Sequence, residues 1–283
     1  AAHGYHIDSI YLDGAMNQSF TYSETNYDTT YTVTINPVDA DHVLDAFFSI
    51  NTYTMHAENG ANGTIVPVGD SVLNHGETIV YTVTPDDCYY ISEVLVDDVD
   101  VLADDSTAFT YTFADVQEPH TIVANFAIYE YEMAETHTGN GTVSTATVNC
   151  GDTYTYTITA DQGWHIEEYT IAGTTVHFGN NDDNTATYVI SPARQDTSID
   201  VVFAIDTFDV TVCTADGGTL VVNPAIVDYG SSCDVTITAD SVNGYHIQTI
   251  TCGSGEVTLG QNSDVVYTYT LNSVTSDTTI CAT

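Results

Sequence analysis

The sequence contains almost no basic side chains. Arg194 is the one lysine or arginine among 283 residues, against 40 aspartates and glutamates, and the formal net charge is −39 at pH 7. Nucleic acids and anionic membranes bind proteins through lysine and arginine, which neutralise their phosphates. The composition therefore excludes a nucleic-acid partner and favours a surface that salt or divalent cations screen.

Long apolar runs and enzyme signatures are also lacking. No stretch of about 20 apolar residues predicts a membrane-spanning helix, so we expect no membrane insertion. The opening "AAHGYH" has no basic region, so we expect that any signal peptide has been removed. The sequence has neither a G-x-S-x-G nor an H-E-x-x-H motif, and we predict that the protein is not an enzyme.

The sequence does contain a repeat. The stretch "GYHIDSIYLDG" (4–14) returns as "GWHIEEYTIAG" (163–173) and as "GYHIQTITCG" (244–253). Alignment of the surrounding segments gives three units of nearly equal length, and residues 1–50 match only the second part of such a unit. We call them the half-repeat (1–50), repeat 1 (51–128), repeat 2 (129–205) and repeat 3 (206–283).

Within each unit, the pattern of side chains predicts β-strands. Segments such as "TYTYTITA", "VYTYTL" and "FTYTF" alternate threonine with tyrosine, valine or isoleucine, which is typical of half-buried strands. Glycine-rich turns such as "ENGANGT" separate them. We predict an all-β tandem array of small five-stranded sandwich or grasp-like modules with an incomplete first module. In repeat 3 the strands are expected at 208–214, 232–239, 246–252, 265–271 and 278–282.

Four segments of repeat 1 carry a family resemblance: Gly63–Val66, Tyr81–Pro85, Ile91–Asp97 and His120–Phe126. Together they resemble the divergent internalin-B-type repeats of secreted and cell-surface bacterial proteins. The resemblance implies an extracellular β-module that acts as a spacer, an adhesin stalk or a structural array, and it implies no catalytic residues. Cys88 stands where that pattern usually has glycine.

The six cysteines include no C-x-x-C pair, so they favour disulfides over a zinc site. Cys233 and Cys252 flank the turn at 241–244, and in a hairpin centred there residue 233 opposes residue 252. Cys213 and Cys281 fall on the first and last predicted strands, which adjoin if the sheet closes. We therefore predict Cys233–Cys252 and Cys213–Cys281 bridges. Cys88 and Cys150 lie in neighbouring units and could link them; the alternative for all six is a free buried thiol.

A histidine recurs at one position of the unit, as His6, His165 and His246, and Tyr90 takes that position in repeat 1. Recurrent histidine is compatible with metal binding or pH sensing. Because the position follows the repeat, we instead predict a structural residue that begins a strand and caps the turn before it.

Two loops are rich in carboxylates, "VDDVDVLADD" (96–105) and "GNNDDNT" (179–185). Calcium prefers several such oxygen ligands in a short turn, although neither loop has EF-hand spacing. The alternative is a solvated loop. Calcium is the one cofactor that the sequence suggests, with the candidate ligands Asp97, Asp98, Asp100, Asp104, Asp105, Asp182 and Asp183.

Glycosylation is expected at exposed turns. N-x-S/T triplets begin at Asn17, Asn62 and Asn140, and the last two occupy equivalent "NGT" turns. Triplets around Ser9 and Ser71 resemble O-glycosylation sites of Bacteroidetes-type secreted proteins.

The incomplete first unit suggests the function. A sheet that lacks its first two strands exposes edges and apolar surface, and such edges attract strands of another chain. We predict an extracellular or cell-surface structural subunit whose copies associate head to tail, through Ile7, Ile10, Leu12, Val33, Ile35 and Phe47. The alternative is an adhesin or a carbohydrate-binding stalk, which would need an aromatic platform outside the core. Trp164, the one tryptophan, sits at a repeated tyrosine position and is expected in the core.

Overall fold

The computed structural model describes residues 1–19, 29–253, 255–259, 261 and 263–283. The chain divides into two compact units, Ala1–Tyr129 and Glu130–Thr283. The described residues of both units form strands and turns, with a single 3-10 turn at Ser241–Asn243. The predicted all-β class, in tandem modules, is confirmed.

The first unit holds the half-repeat and repeat 1. The half-repeat has the strands β1 Tyr5–Leu12, β2 Ala15–Ser19 and β3 Leu44–Ile50. Repeat 1 has the strands β4 Thr52–Asn59, β5 Gly63–Val66, β6 Gly69–Asn74, β7 Ile79–Pro85, β8 Tyr89–Val96, β9 Val99–Asp100, β10 Phe109–Phe113 and β11 His120–Ile128.

The second unit holds repeats 2 and 3. Repeat 2 has the strands β12 Glu130–Thr138, β13 Gly141–Val143, β14 Ala146–Asn149, β15 Tyr154–Ala160, β16 Trp164–Ile171, β17 Thr174–His177, β18 Thr185–Ile190 and β19 Thr197–Ile205. Repeat 3 has the strands β20 Thr207–Val212, β21 Gly218–Asn223, β22 Ile226–Asp228, β23 Cys233–Ala239, β24 Thr249–Cys252, β25 Gly255–Thr258, β26 Val266–Leu271 and β27 Thr278–Ala282.

Each full repeat contains one five-stranded and one three-stranded sheet. The larger sheets have the orders β6-β4-β11-β8-β9, β14-β12-β19-β16-β17 and β22-β20-β27-β24-β25. In each of them the first and last strands of the repeat lie side by side and parallel, as in the β12–β19 pair. The smaller sheets have the orders β10-β7-β5, β13-β15-β18 and β21-β23-β26.

The core of each repeat follows from the alternation in the central strand of its smaller sheet. In β15, Tyr156 and Ile158 are fully buried, whereas the threonines between and beside them are exposed. Successive side chains of a strand point to opposite faces, so the tyrosine and isoleucine pack inward and the threonines face water. The same division recurs in β7 and β23, and each repeat has its own cluster of buried apolar side chains.

Tyr156 also ties the two sheets of repeat 2 together. Its hydroxyl lies 3.0 Å from the Ala134 carbonyl, in the middle of β12, and 2.8 Å from the Thr197 carbonyl, at the start of β19. Burial, and then the neighbouring Tyr154, raise the pKa of Tyr156 to about 12. The hydroxyl therefore keeps its proton and can donate across the core at any physiological pH.

The number of strands differs from the sequence-based expectation. Among the described residues a full repeat has eight strands, not five. The glycine-rich segment after the first strand forms two short strands, such as Gly63–Val66 and Gly69–Asn74, and a third short strand, such as Thr174–His177, follows the strand that carries the histidine. Glycine and proline made these segments resemble plain turns. In repeat 3, moreover, the predicted strand 246–252 begins only at Thr249.

The described residues of the half-repeat form one sheet, with the order β2-β1-β3. Its strands correspond to β9, β8 and β11 of repeat 1, and no described strand of the half-repeat corresponds to β4. Residues 31–35 alternate like β10 but are not in a strand. Their counterpart β10 pairs with β7, and no described strand of the half-repeat takes the place of β7.

Candidate functional site

The recurrent histidine binds the residue that begins the next repeat. At the end of the half-repeat, His6 Nδ1 lies 2.9 Å from Asn51 Oδ1, and both side chains are buried. Between repeats 2 and 3, His165 Nδ1 lies 2.9 Å from Asp206 Oδ1, again with both groups buried. The histidine was expected to cap the turn before it; the structure corrects this, since its partner lies 41 or 45 residues further along the chain.

Backbone hydrogen bonds give the two junctions the same geometry. The Asn51 N–H donates to the Gly4 carbonyl at 2.8 Å, and the Asp206 N–H donates to the Gly163 carbonyl at 2.9 Å. Asn51 and Asp206 in turn accept from the N–H groups of His75 and Tyr229, both at 2.8 Å. Each junction therefore joins a glycine, one linking residue and an aromatic residue of the next repeat.

The aromatic ring lies directly over the glycine. A Cβ built on Gly163 would lie 2.3 Å from the Tyr229 ring, and a Cβ built on Gly4 would lie 2.3 Å from the His75 ring. Both glycines also have a positive φ, 81° and 79°, which side-chain-bearing residues rarely adopt. Glycine is thus required here for both backbone conformation and space. In the sequence, the repeated "GYH" and "GWH" segments marked the position of this glycine. They did not indicate which aromatic residue packs on it.

The half-repeat exposes apolar groups that the full repeats bury. Leu44 and Phe48, on the edge strand β3, are each 52% exposed. Their counterparts in repeat 2, Ile199 and Phe203, are 0% and 3% exposed. In repeat 2 the edge of the last strand is covered by the parallel first strand β12, whereas in the half-repeat β3 ends the sheet.

The structure rearranges the predicted apolar surface of the half-repeat. Ile7 and Ile10 were expected to be poorly covered but are buried, because their strand is the central one of three. Phe47 lies opposite Ser9, and therefore on the other face from Phe48, which lies opposite Ile7. Three predicted residues are half-buried: Leu12, Val33 and Ile35.

On that other face, two aromatic rings line a cleft. The ring centroids of Tyr11 and Phe47 are 5.6 Å apart, in an edge-to-face arrangement. The cleft has a volume of about 280 Å³, and its lining includes the carboxylates of Asp8 and Asp45. Aromatic faces beside carboxylates are suited to a polyhydroxylated ligand, because rings pack against C–H groups and carboxylates accept hydrogen bonds from hydroxyls.

One of the two predicted bridges of repeat 3 is present. Cys213 and Cys281 form a disulfide with a Cα–Cα distance of 4.8 Å, as their positions on the first and last strands predicted. Cys233 and Cys252 are free thiols, so that prediction is wrong. Their strands do not form a hairpin: β23 belongs to the three-stranded sheet and β24 to the five-stranded one. Burial raises the pKa of the Cys233 thiol, with Asp234 and Cys252 adding to the shift.

Cys88 and Cys150 are both disulfide-bonded. The link between these two cysteines, which the sequence suggested, stays a prediction. Cys88 has a φ of 71°, close to the values of Gly4 and Gly163, whose sequence position it shares.

The carboxylate-rich loops are held by backbone hydrogen bonds. Asp100 accepts from the Leu102 N–H at 3.0 Å, and Asp183 accepts from the Asn180 N–H at 3.0 Å. In the described part of the chain, no three His, Cys, Asp or Glu side chains are grouped so that they could hold a metal ion. Calcium binding at the seven aspartates stays a prediction.

Asp97 is the most constrained of these carboxylates. It accepts from His120 Nδ1 at 2.7 Å and from the Thr121 N–H at 2.8 Å. Desolvation acts to raise the pKa of Asp97, but the hydrogen bonds from Thr121 and His120 together hold it below its ordinary value. The carboxylate therefore fixes the turn after β8 to the start of β11.

The candidate glycosylation residues differ in accessibility. Asn62 and Asn140 are exposed in turns, and Asn17 is exposed on β2. Ser9 is buried within β1, and its O-glycosylation stays a prediction. Ser71 is half-buried on the edge strand β6.

Comparisons with known proteins assign the class. The fold is that of a tandem β-repeat protein, and the model of the divergent InlB B-repeat domain matches residues 53–130 and 131–207. These matches cover more than half of the chain, and the protein belongs to this family. No curated protein matches the sequence. No helix within the described ranges is long and apolar enough to cross a membrane.

Solved structures give weaker likenesses. The Bacillus anthracis TIE protein is 10% identical with a TM-score of 0.37, over 85% of this chain and 53% of the TIE chain. The chain thus spans about half the length of that protein. A Bacteroides ovatus protein of a mixed-linkage glucan utilisation locus, solved with a heptasaccharide, is 13% identical with a TM-score of 0.11, over 79% and 58% of the two chains. These low scores assign no function.

Proposed function

We propose that the protein is a structural subunit of an extracellular fibre or surface assembly, in which copies associate head to tail. The observation that carries the proposal is the open edge of β3, where Leu44 and Phe48 are half exposed although their counterparts are buried. Fully burying a leucine or phenylalanine contributes roughly 1.5–3 kcal/mol, so covering these two half-exposed side chains would contribute a similar amount in total.

Membership of the divergent InlB B-repeat family, whose resemblance implies a secreted or cell-surface protein, and the presence of disulfides support an extracellular location. The family match also supports a role without catalysis. Contact between different surfaces of two copies propagates into open filaments unless a ring closes. Because the chain carries a net charge of −39, copies repel one another at low salt, and assembly should strengthen as salt or calcium screens that charge.

Electron microscopy and light scattering of the full chain test this proposal over a series of salt and calcium concentrations. We expect filaments or higher oligomers at high salt and their loss in the Leu44→Asp variant. Val72→Asp is the matched control, since Val72 is also an exposed aliphatic residue on an edge strand. A wild-type chain that stays monomeric under all conditions, or equal effects of the two variants, would overturn the proposal.

A second candidate function, carbohydrate binding by an adhesin or stalk, is supported by the Tyr11–Phe47 cleft. Trp164 does not support it, because this residue packs against the core of repeat 2. A glycan array with the full chain tests this candidate. If Phe47→Ala still binds a glycan, the cleft is not the binding site. If the wild-type chain binds no glycan, this second candidate function is excluded.

A further inference from the structure

Two histidine side chains meet at the junction between the half-repeat and repeat 1. His75 Nε2 lies 3.1 Å from His3 Nδ1, and the two rings are arranged edge to face with their centroids 4.7 Å apart. Both residues lie in the first compact unit. The ion pairs between histidines and carboxylates of the described chain include neither ring. The two rings therefore face each other, and not a carboxylate.

The equivalent junction, between repeats 2 and 3, contains a different pair of side chains. Gln162 takes the position of His3, Tyr229 takes the position of His75, and the Gln162 side-chain N–H donates to the Tyr229 hydroxyl at 2.8 Å. Gln162 is exposed in a repeat that has eight strands, so this position faces water in a full repeat as well. Because glutamine and tyrosine also make the contact, histidine is not required to hold the junction. What the histidines add is a pair of nitrogen ligands.

The separation of the two nitrogens fits two ligands of one metal ion. Transition metals such as zinc bind imidazole nitrogen at about 2.0–2.1 Å, so neighbouring ligands in a tetrahedral or square arrangement lie about 2.8–3.4 Å apart. The 3.1 Å between His3 Nδ1 and His75 Nε2 falls within this range. His3 is exposed, so its ring can turn until both nitrogens face one point.

Both rings can present an unprotonated nitrogen without losing a proton. A neutral imidazole carries one proton, on either of its nitrogens, and in the present contact one ring donates to the other. On metal binding the donor ring moves this proton to its second nitrogen. In His75 that second nitrogen, Nδ1, lies 3.4 Å from the Tyr53 hydroxyl oxygen, which can accept from it. A histidine that binds a metal usually donates its other N–H to such a partner, which fixes the orientation of the ring.

The fold holds His75 in place in the absence of a metal. Its backbone N–H donates to the Asn51 carbonyl at 2.8 Å, and its ring packs on Gly4. Tyr53, on the other side of the ring, is buried. A ligand that is already fixed loses less conformational freedom on binding. The net charge of −39 also raises the concentration of cations near the surface.

We propose that His3 and His75 together bind a divalent late transition-metal ion, such as Cu²⁺ or Zn²⁺. The described residues bring no three His, Cys, Asp or Glu side chains together, so the protein supplies two ligands and water completes the coordination. Imidazole nitrogen favours these ions over calcium and magnesium, which prefer oxygen ligands, and Cu²⁺ should bind most tightly. The bound ion would link the half-repeat to repeat 1.

Calorimetry and thermal unfolding of the full chain with Cu²⁺ or Zn²⁺ test the site. We expect one tightly bound ion per chain and a rise in Tm as its concentration increases, because the ion binds only the folded junction. The electron paramagnetic resonance spectrum of bound Cu²⁺ should show coupling to two nitrogen atoms. An excess of calcium should not displace the ion, since calcium prefers oxygen ligands.

Substitutions taken from the other junction remove the ligands and keep the packing. His3→Gln and His75→Tyr introduce the residues that repeats 2 and 3 have at these positions, and each should weaken binding by about tenfold or more. His56→Gln is the matched control: His56 is an exposed histidine paired with Asp70, outside the junction, and its loss should leave binding unchanged.

Three results would overturn the proposal: no binding by the wild-type chain, unchanged binding in His75→Tyr, or equal weakening in His56→Gln. Loss of binding in His3→Gln alone would show that His3 binds the ion without His75, which also contradicts the paired site. The measurements need no assembly, so a chain that forms no filaments can still bind the ion, and failure of one proposal does not imply failure of the other.

Discussion

The glycine–tyrosine contact between repeats 2 and 3 allows a sharp test of what holds a junction together. Gly163→Ala places a methyl group where the Tyr229 ring lies, 2.3 Å from the nearest ring atom. Gly173→Ala is the matched control: Gly173 has a φ of 76°, close to the 81° of Gly163, but a Cβ there would meet nothing within 4 Å. The two substitutions therefore share backbone strain and differ in packing.

The magnitudes follow from those two terms. A side chain in the left-handed region lowers stability by roughly 1–2 kcal/mol, and this applies to both variants. Overpacking by a methyl group lowers stability by about 1–3 kcal/mol more, and this applies only to Gly163→Ala. For a unit of this size, each kcal/mol lowers Tm by about 2–4 °C. We therefore expect Gly163→Ala to melt several degrees below Gly173→Ala.

Thermal unfolding followed by circular dichroism gives the comparison, and a double variant identifies the cause. Tyr229→Ala removes the ring, so in that background Gly163→Ala should cost no more than Gly173→Ala does. Coupling of this kind is what a double-mutant cycle measures. The reasoning is refuted if the two glycine variants melt together in the wild-type background, or if removal of the ring leaves their difference unchanged.

Three further predictions concern other groups. Asp206→Ala should lower the free energy of unfolding by about 1–3 kcal/mol, because it leaves the buried His165 without its acceptor. Asp206→Asn keeps an acceptor, so it should lower the free energy of unfolding by less; chemical denaturation measures both. Asp97 stabilises the fold above its unfolded pKa, near 3.8, and this stabilisation is lost as pH falls through the lowered pKa of the folded state. In Asp97→Asn, Tm measured as a function of pH should therefore change less in that acidic range than in the wild type, with no such difference near neutrality. Peptide mapping without reduction is expected to recover Cys88 linked to Cys150; recovery of either one as a free thiol would contradict the link.

Local patterns predicted much of the fold. Alternation of threonine with tyrosine, valine or isoleucine placed β10, β15 and β26 correctly, because period-2 alternation directly reports one buried and one exposed face. The Cys213–Cys281 bridge followed from strand positions alone. The Cys233–Cys252 prediction was wrong because a turn in the sequence does not reveal whether the chain forms a hairpin or crosses to the opposite sheet.

The junctions could not be predicted for a related reason. His165 and Asp206 are 41 residues apart, and the local sequence around each residue does not indicate that the other is its partner. The same holds for Tyr229, which reaches Gly163 only after folding has brought consecutive repeats together. Strand counting failed in the glycine-rich segments, where short edge strands are held by their neighbours in the sheet and not by their own propensity.

The parallel pairing of first and last strands determines how a repeat would respond to tension. Because the chain enters repeat 2 along β12 and leaves it along β19, a pull on the two ends slides these neighbours past one another and loads their hydrogen bonds together. Six residue pairs share the load in repeat 2 and five in repeat 1, but only three in repeat 3. Repeat 3 has in addition the Cys213–Cys281 bridge between the same two regions, a covalent link where the ladder is shortest. A chain stretched from its ends would therefore meet its resistance at the centre of each large sheet, with the sandwich cores shielded from the force.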